Sequence, residues 1–384
     1  MSERLPHFIS DRPFNPAEPQ AMSPELERYY LASQWQMMWR RFKRHKIAVI
    51  SAVVLLASYA SIVVTEFLAP YNLHSRNTEF IYAPPQRIRL FHEGSFVGPF
   101  VYPLKYSLNM QTLKREYEPD YAQPQRLRYF CSGDDYNLWG LIQGSLHVFC
   151  PPEKGTAFLL GTDRLGRDML SRLLYGARIS LTVGLVGITI SFMLGIVIGG
   201  IAGFFGGRID AFIQRVIEIL RSLPELPLWL ALSAALPANW SPILVYFGIT
   251  IILGLLDWPG LARAVRSKLL SLRQDDFVVA SRMMGGRPPH IIGRHLVPNF
   301  MSHLIASATL SIPGMILGET ALSFLGLGLR PPITSWGVLL AEAQNVEAIA
   351  LYPWLLLPMI PVIVTTLAFN FLGDGMRDAA DPYH

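Results

Sequence analysis

ISLTVGLVGITISFMLGIVIGGIAGFF, Ile179–Phe205, carries no charged residue from end to end. A run of this kind is longer than the roughly 20 residues needed to cross the hydrocarbon of a bilayer as a helix. It has further apolar runs for company: Ile47–Leu68, Ile243–Leu256, a stretch from about Leu296 to Phe324, and Trp354–Leu372. A weaker one spans Leu223–Leu236, with Pro224, Glu225 and Pro227 at its start. The composition agrees, with 51% hydrophobic and 16% charged residues against about 25% charged in ordinary soluble domains. These observations predict an all-α polytopic membrane protein of about six transmembrane helices. Gly195, Gly199 and Gly203 recur every four residues, and small residues on one helical face admit close approach by another helix.

Basic residues near the span ends set the orientation. Arg40, Arg41, Lys43, Arg44 and Lys46 precede the first span, and Arg208, Arg215 and Arg221 follow the second. Arg263, Arg266, Lys268, Arg273, Arg282, Arg287 and Arg294 lie between the fourth and fifth. The opposite short loops are almost bare, so both termini are expected in the cytoplasm. The long stretch after the first span is basic too, but loops of that length cross largely regardless of charge. The net charge of +5 thus follows from topology and is no sign of nucleic-acid binding. No cleavable leader is evident, because the first 45 residues are polar and the first apolar run is too long for one.

The expected organisation is a tail over 1–45, PELERYYLASQWQMMWRRF within it being helix-forming, and transmembrane helix 1 over 46–69. An extracytoplasmic insertion over 70–160 follows, then a five-helix unit over 161–372 and a cytoplasmic tail over 373–384. Alternations such as QRIRLFHEG and QRLRYFCSG, with turn residues between them, predict strands in the insertion. Both cysteines, Cys131 and Cys150, fall there. An oxidising compartment permits a disulfide between them, closing a loop of about 20 residues for roughly 3 kcal/mol; two buried free thiols are the other reading.

FVVASRMMGGRPPHIIGRHLVPN, Phe277–Asn299, is an aqueous loop between greasy spans. Leu269, Leu270, Leu272, Phe277 and Val278 can share a helical face, Gly285-Gly286 stops that helix, and Pro288-Pro289 can open a second. One reading is an interfacial helix resting on anionic lipid. The other is a rigid element that docks in a cytoplasmic partner, and the residue pattern alone leaves both open.

The loop resembles the cytoplasmic coupling loop of bacterial ABC importer permeases, whose pattern is Glu-Ala-Ala, three residues, Gly, and later Leu-Pro. Ala280, Gly285 and Pro298 match that pattern, while Val279, Ser281 and Val297 depart from it. The loss of the Glu puts in doubt any contact that relied on its carboxylate. GTDRLGRDMLSRLLYGARISL (Gly161–Leu181), WPGLAR (Trp258–Arg263), RHLVPN (Arg294–Asn299), ETALSFLGLGLRPPITSWG (Glu319–Gly337) and FNFLGDGMRDAADP (Phe369–Pro382) resemble the C-type subunit of dipeptide/oligopeptide permeases, in an enlarged-insertion subgroup. The resemblance implies an inner-membrane importer half that pairs with a second permease, two ATPases and a periplasmic solute-binding protein. ATP-Mg would sit on the ATPases, since this chain has no GxxxxGK[ST] loop and is expected to be no enzyme and to bind no cofactor. Within a coupling loop over 260–297, the residues implied to meet an ATPase are Phe277, Ala280, Ser281, Arg282, Gly285, Gly286 and Arg287. Peptides are the implied cargo; nickel, opines and oligosaccharides are carried by other members of the class.

Ionisable residues inside a membrane are functional candidates. Glu225 and Glu319 are pore candidates, although a structural hydrogen-bonding role is the favoured reading of Glu319. Asp257 is expected to pair with Arg263 or the interface. Asp163, Arg164, Arg167 and Asp168 either face a binding protein or pair among themselves to hold a turn. His290 and His295, five apart, fit one α-helical face poorly and have no third ligand with which to hold a metal.

Overall fold

The computed structural model describes residues 34–380 apart from 112–113, 153–154 and 238. Most of the tail expected over 1–45, and residues 381–384, therefore lie outside the described residues. Helix α1 (Gln34–Arg44) is basic in its last turn. His45 separates it from α2 (Lys46–Val63) and caps α2 by accepting from the Ala48 amide through Nδ1 at 3.2 Å. Along α2 the buried residues are Ala48, Ser51, Leu55 and Ile62, one stripe at helical spacing. Ile47, Ile50, Val53, Leu56 and Val63 remain exposed on the outside of the bundle. After the short α3 (Thr65–Leu68) the chain leaves the bundle.

The insertion is a β unit. Strands β1 (Arg89–His92), β2 (Ser95–Val101), β3 (Leu104–Asn109), β4 (Lys114–Pro119), β5 (Gln125–Arg126), β6 (Arg128–Leu138) and β7 (Ile142–Cys150) form three small antiparallel sheets, β1-β2-β5, β3-β4 and β6-β7. Small clusters centred on Val101, Leu127 and Ala157 and on Tyr71, Ala83 and Phe158 fill its interior. Cys131 and Cys150 are joined by a disulfide across the β6–β7 hairpin.

The charge-free run is the body of α4 (Met169–Phe205). At 1.5 Å per residue its 37 residues extend about 55 Å, so part of it stands clear of a hydrocarbon layer about 30 Å thick. Then come α5 (Gly207–Ser222), α6 (Glu225–Ala234), α7 (Pro242–Leu272), α8 (Asp276–Met283), α9 (Met301–Phe324), α10 (Trp336–Ala341), α11 (Val346–Leu351) and α12 (Met359–Ala380). Among the described residues, five segments are long and apolar enough to cross a membrane: Lys46–Val63, Met169–Phe205, Pro242–Leu272, Met301–Phe324 and Pro353–Ala380. The protein is a multi-pass membrane protein.

Helices α4 and α7 lie side by side along the glycine stripe. A Cβ on Gly195 would fall 2.8 Å from Leu261 Cβ, one on Gly199 2.5 Å from the Ala262 carbonyl oxygen, and one on Gly203 2.8 Å from Leu269 Cβ. The numbers rise together on both helices, so α4 and α7 run parallel, and the chain between them must return to its starting side. That return is where the structure departs from the expected span at Leu223–Leu236. It is made in two pieces, with α5 packed against α7 through Ile217, Trp258 and Ala262. The ten-residue α6 then places Trp229 and Leu230 against Leu253, Met315 and Leu322. The break falls at Leu223-Pro224, where Leu223 is extended, the conformation favoured for a residue preceding a proline. Other boundaries shift as well: the first span ends at Val63 and the second already starts at Met169. The fourth span continues to Leu272 because Pro259 sits inside α7 without ending it; the fifth starts at Met301. The last continues to Ala380, so the expected tail over 373–384 is helical as far as it is described.

Helix α4 is central. Ala177, Leu181 and Ile188 pack with Leu55 and Ile62 of α2, Ile312 and Ile316 of α9, and Val362, Ala368 and Phe369 of α12. The insertion caps one end of this bundle, the insertion end. Residues 273–300 close the other, the loop end.

Candidate functional site

At the loop end the helix predicted to run from Leu269 past Phe277 is interrupted. Helix α7 stops at Leu272, and Asp275 starts α8 as its N-cap residue. The Asp275-Asp276 pair places negative charge at the positive end of the new helix, which favours a start there. Helix α8 lies with one face on the bundle. Val278 is wholly buried, in a cluster with Val265 and Leu269 of α7 and Leu296, Phe300 and Leu304 beyond the loop. Ser281 is buried beside it.

The opposite face is open. Phe277, Val279, Ala280, Arg282 and Arg287 are exposed, and Met283 and Met284 are 85% and 82% exposed. Of the expected partner-facing residues, Ser281 therefore points inward, as does Gly286, where a Cβ would meet the Ser281 carbonyl oxygen at 2.7 Å. Arg282 stacks its guanidinium over Phe204 at 4.6 Å, tying α8 to the end of α4. Gly285 has φ +83°, a conformation open to glycine but strained for a side chain. The two methionines were not singled out in the sequence; an adjacent flexible, polarisable pair in an aqueous loop was the available signal.

After the glycines, Pro288–His290 is α-helical, Ile291–Leu296 forms a π turn and Val297–Asn299 returns to α. The Val297 amide donates to the Ile292 carbonyl, five residues back. That widened turn brings together His290 and His295, expected to lie apart, with ring centroids 5.5 Å from one another. Residues five apart share a face when the repeat is i to i+5. Among the described residues no group of three or more metal-ligating side chains gathers anywhere.

The carboxylates within the bundle separate into different surroundings. Glu319 is wholly buried, accepting from Ser180 Oγ at 3.1 Å and Ser323 Oγ at 2.8 Å. Ser180 Oγ also accepts from the Trp336 amide at 3.1 Å. The glutamate thus joins α4, α9 and α10 and lies inside the protein. Glu225 stands exposed at the first turn of α6, at the break between the two halves of the return crossing. Asp257 accepts from Ser191 Oγ of α4 at 3.1 Å, in place of the expected arginine, because α7 continues for four more turns and Arg263 lies further along it. The ion pair of α7 is instead Arg266 with Asp210 of α5.

At the insertion end a buried charge network organises the segment before α4. Asp163 accepts from the Leu165 and Arg167 amides at 2.8 and 2.9 Å through Oδ1. Its Oδ2 accepts from Arg167 Nε at 2.6 Å and Arg172 Nη1 at 2.5 Å. Arg172 and Arg167 also reach Glu342, at the end of α10, at 2.9 and 3.2 Å. Of the four charged residues over 163–168, Asp163 and Arg167 are paired and Arg164 is exposed. Arg172 and Glu342 were missed, since a separation of 170 residues leaves no local signal. Asp168 caps α4, accepting from the Ser171 amide and hydroxyl at 2.7 and 2.8 Å through Oδ2. Burial pushes its carboxyl up to about 6. A cleft of about 580 Å³ opens beside the network, lined by Tyr82, Arg164, Arg330, Glu342, Gln344 and Asn345.

Residues 195–383 match the family described as "Binding-protein-dependent transport system inner membrane component", and residues 33–85 match "N-terminal TM domain of oligopeptide transport permease C". The "Dipeptide transport system permease protein DppC" of Bacillus subtilis is 40% identical over 222 residues, covering 58% of this chain and 68% of that protein. The chain belongs to this permease family. The permease is also 32% identical over 352 residues to the dipeptide permease of Lactococcus lactis subsp. cremoris, 91% of each chain. An alignment of that extent runs through the insertion. The "Oligopeptide transport system permease protein OppC" of Haemophilus influenzae is 41% identical over 233 residues, 60% of this permease and 72% of its own length.

Proposed function

We propose that this chain is one permease half of an ATP-driven importer for peptides, resident in the bacterial inner membrane with both termini and the loop end in the cytoplasm. The observation that carries the reading is the two-faced α8. Its buried face, through Val278, is packed into α7 and the chain leading to α9, and its exposed face presents Phe277, Val279, Met283 and Met284. A short amphipathic helix so anchored is a lever: a partner holding the outer face moves α7 and the approach to α9 together. The partners are a homologous second permease, two ATPases that bind ATP-Mg, and a periplasmic binding protein at the insertion end. The permease contributes the path and no nucleotide site of its own. Dipeptide and oligopeptide systems give the compared relatives their names, which favours peptides over nickel, opines or oligosaccharides. A force from the ATPases alters transport only through contacts that differ between the two states of the bundle.

Gly285→Pro tests the lever. Proline fixes φ near −65°, whereas Gly285 sits at +83°, so the turn after α8 must reorganise while the spans are untouched. In proteoliposomes holding the whole importer, insertion and ATP hydrolysis are expected to persist while peptide uptake falls at least about tenfold, equivalent to 1.4 kcal/mol. Undiminished uptake would overturn the proposal.

A further inference from the structure

The tip of the β6–β7 hairpin has a costly backbone and an unusual surface. Leu141 N donates to Leu138 O at 3.0 Å, closing a two-residue turn with Trp139 at φ +53° and Gly140 at φ +72°. Such turns favour Asn-Gly, because both central residues occupy the left-handed region. A tryptophan there is strained, and strain of this kind persists where surrounding contacts fix the residue. Those contacts are present: the Trp139 indole donates to the Val63 carbonyl at the end of α2, at 3.0 Å. Arg178 of α4 lies over the ring at 4.3 Å. Arg178 is itself held, pairing with Glu66 at 2.6 Å and donating to the Ile62 carbonyl.

The hairpin points toward the bilayer. Near its stem, His147 bonds the Ala69 carbonyl at 2.7 Å, while the tip bonds Val63, six residues back along a nearly continuous helical path. That path is about 9 Å long at 1.5 Å per residue. Val63 is the last residue of a membrane-crossing helix whose outward face, Val53, Leu56 and Val63 among it, is apolar and exposed. Immediately beside that face the tip presents Leu141, 86% exposed, and Ile142, 63% exposed. Tryptophans gather at the level where acyl chains meet headgroups.

We propose that the β6–β7 tip is a lipid anchor: Leu141 and Ile142 enter the headgroup–acyl boundary of the outer leaflet, continuing the lipid-facing surface of α2, while Trp139 fixes their depth. The insertion is thereby seated on the membrane as well as on the bundle. The described residues hold no free cysteine, so Leu141→Cys gives this chain a single site for a nitroxide, attached before the chain is combined with its partners. The measurement is collision of that label with oxygen and with a water-soluble nickel chelate, in the whole importer reconstituted in lipid nanodiscs. Phe96→Cys, on the separate β1–β2 hairpin and likewise exposed, is the comparison. The oxygen-to-nickel ratio is expected to be several-fold higher at position 141 than at 96. Equal ratios would mean that the tip stands in water, and exclusion of both reagents would mean that a protein covers it; either result overturns the anchor. Ile142→Cys repeats the measurement at the neighbouring position should the first variant not fold.

Discussion

Replacing Glu342 by glutamine should unbalance the charge network at the insertion end. Asp163 and Glu342 face Arg167 and Arg172, two charges of each sign. Their side chains are at most 10% exposed. Arg172 makes three charge-assisted hydrogen bonds, of which two go to Glu342, and Arg167 makes one of its side-chain bonds to the same carboxylate. Glutamine keeps one acceptor but turns its amide toward cations and leaves one uncompensated positive charge. Removing one member of a buried pair costs about 3–5 kcal/mol, and the slight exposure of Glu342 argues for the lower end. With about 2 °C lost per kcal/mol in larger domains, the expected fall in melting temperature is about 6 °C. The assay is thermal unfolding of the purified permease in mild detergent, followed by intrinsic fluorescence. The paired change Arg167→Gln with Glu342→Gln restores neutrality and should recover part of the loss, because residues in one network couple by about 0.5–3 kcal/mol. A Glu342→Gln variant melting within about 1 °C of the parent, well inside the expected fall, would refute this account. So would a double variant less stable than both single ones.

Gly199→Val should separate α4 from α7, since the new Cβ would meet the Ala262 carbonyl oxygen at 2.5 Å and Ala262 Cα at 2.9 Å, backbone atoms that cannot rotate away. A cost of about 1–3 kcal/mol is expected for such overpacking, seen as a lower melting temperature, whereas Gly314→Ala, with nothing within 4 Å, should cause no loss. Asp168 supplies a pH dependence. Its carboxyl titrates near 6 in the folded protein against 3.8 ordinarily, so the native state binds the extra proton between those values. Its contribution to stability is full below about 3.8 and is lost as pH rises through 6, by linkage. Melting curves from pH 5 to 7.5 should therefore decline more for the parent than for Asp168→Asn, which keeps an acceptor for Ser171 and has no proton to lose; parallel declines would rule the titration out.

What the sequence disclosed depended on whether the signal was local. Ile179–Phe205 has no charge to interrupt it, so α4 was legible at once, and alternation in QRLRYFCSG announced β6. Helix α8 starts at Asp275-Asp276, but the break before it holds neither glycine nor proline, and the apolar face of Leu269 and Val278 read as continuous. It is continuous in space, since both residues join one cluster across the turn. The π turn has no residue signature, so the meeting of His290 with His295 was hidden. Pro298 marked the family loop but gave no hint that Ser281 faces inward. Glu319 was legible as a buried carboxylate in need of partners, and Ser323, one turn along the same helix, was in plain view. Ser180, supplied by α4, was not.

The divided return between α4 and α7 has a consequence for how the protein is made. Helix α6 offers the insertion machinery only ten residues, about 15 Å against a hydrocarbon layer about 30 Å thick. Helix α5 carries Arg208, Asp210, Arg215, Glu218 and Arg221, and each arginine or aspartate at the centre of an inserting helix costs about 2.5–3.5 kcal/mol. Neither piece has the character of an autonomous membrane signal. Its place is prepared by Trp258 and Ala262 of α7 and Met315 and Leu322 of α9, which leave the ribosome later. The nascent chain must therefore hold this crossing unfinished until α9 has been synthesised.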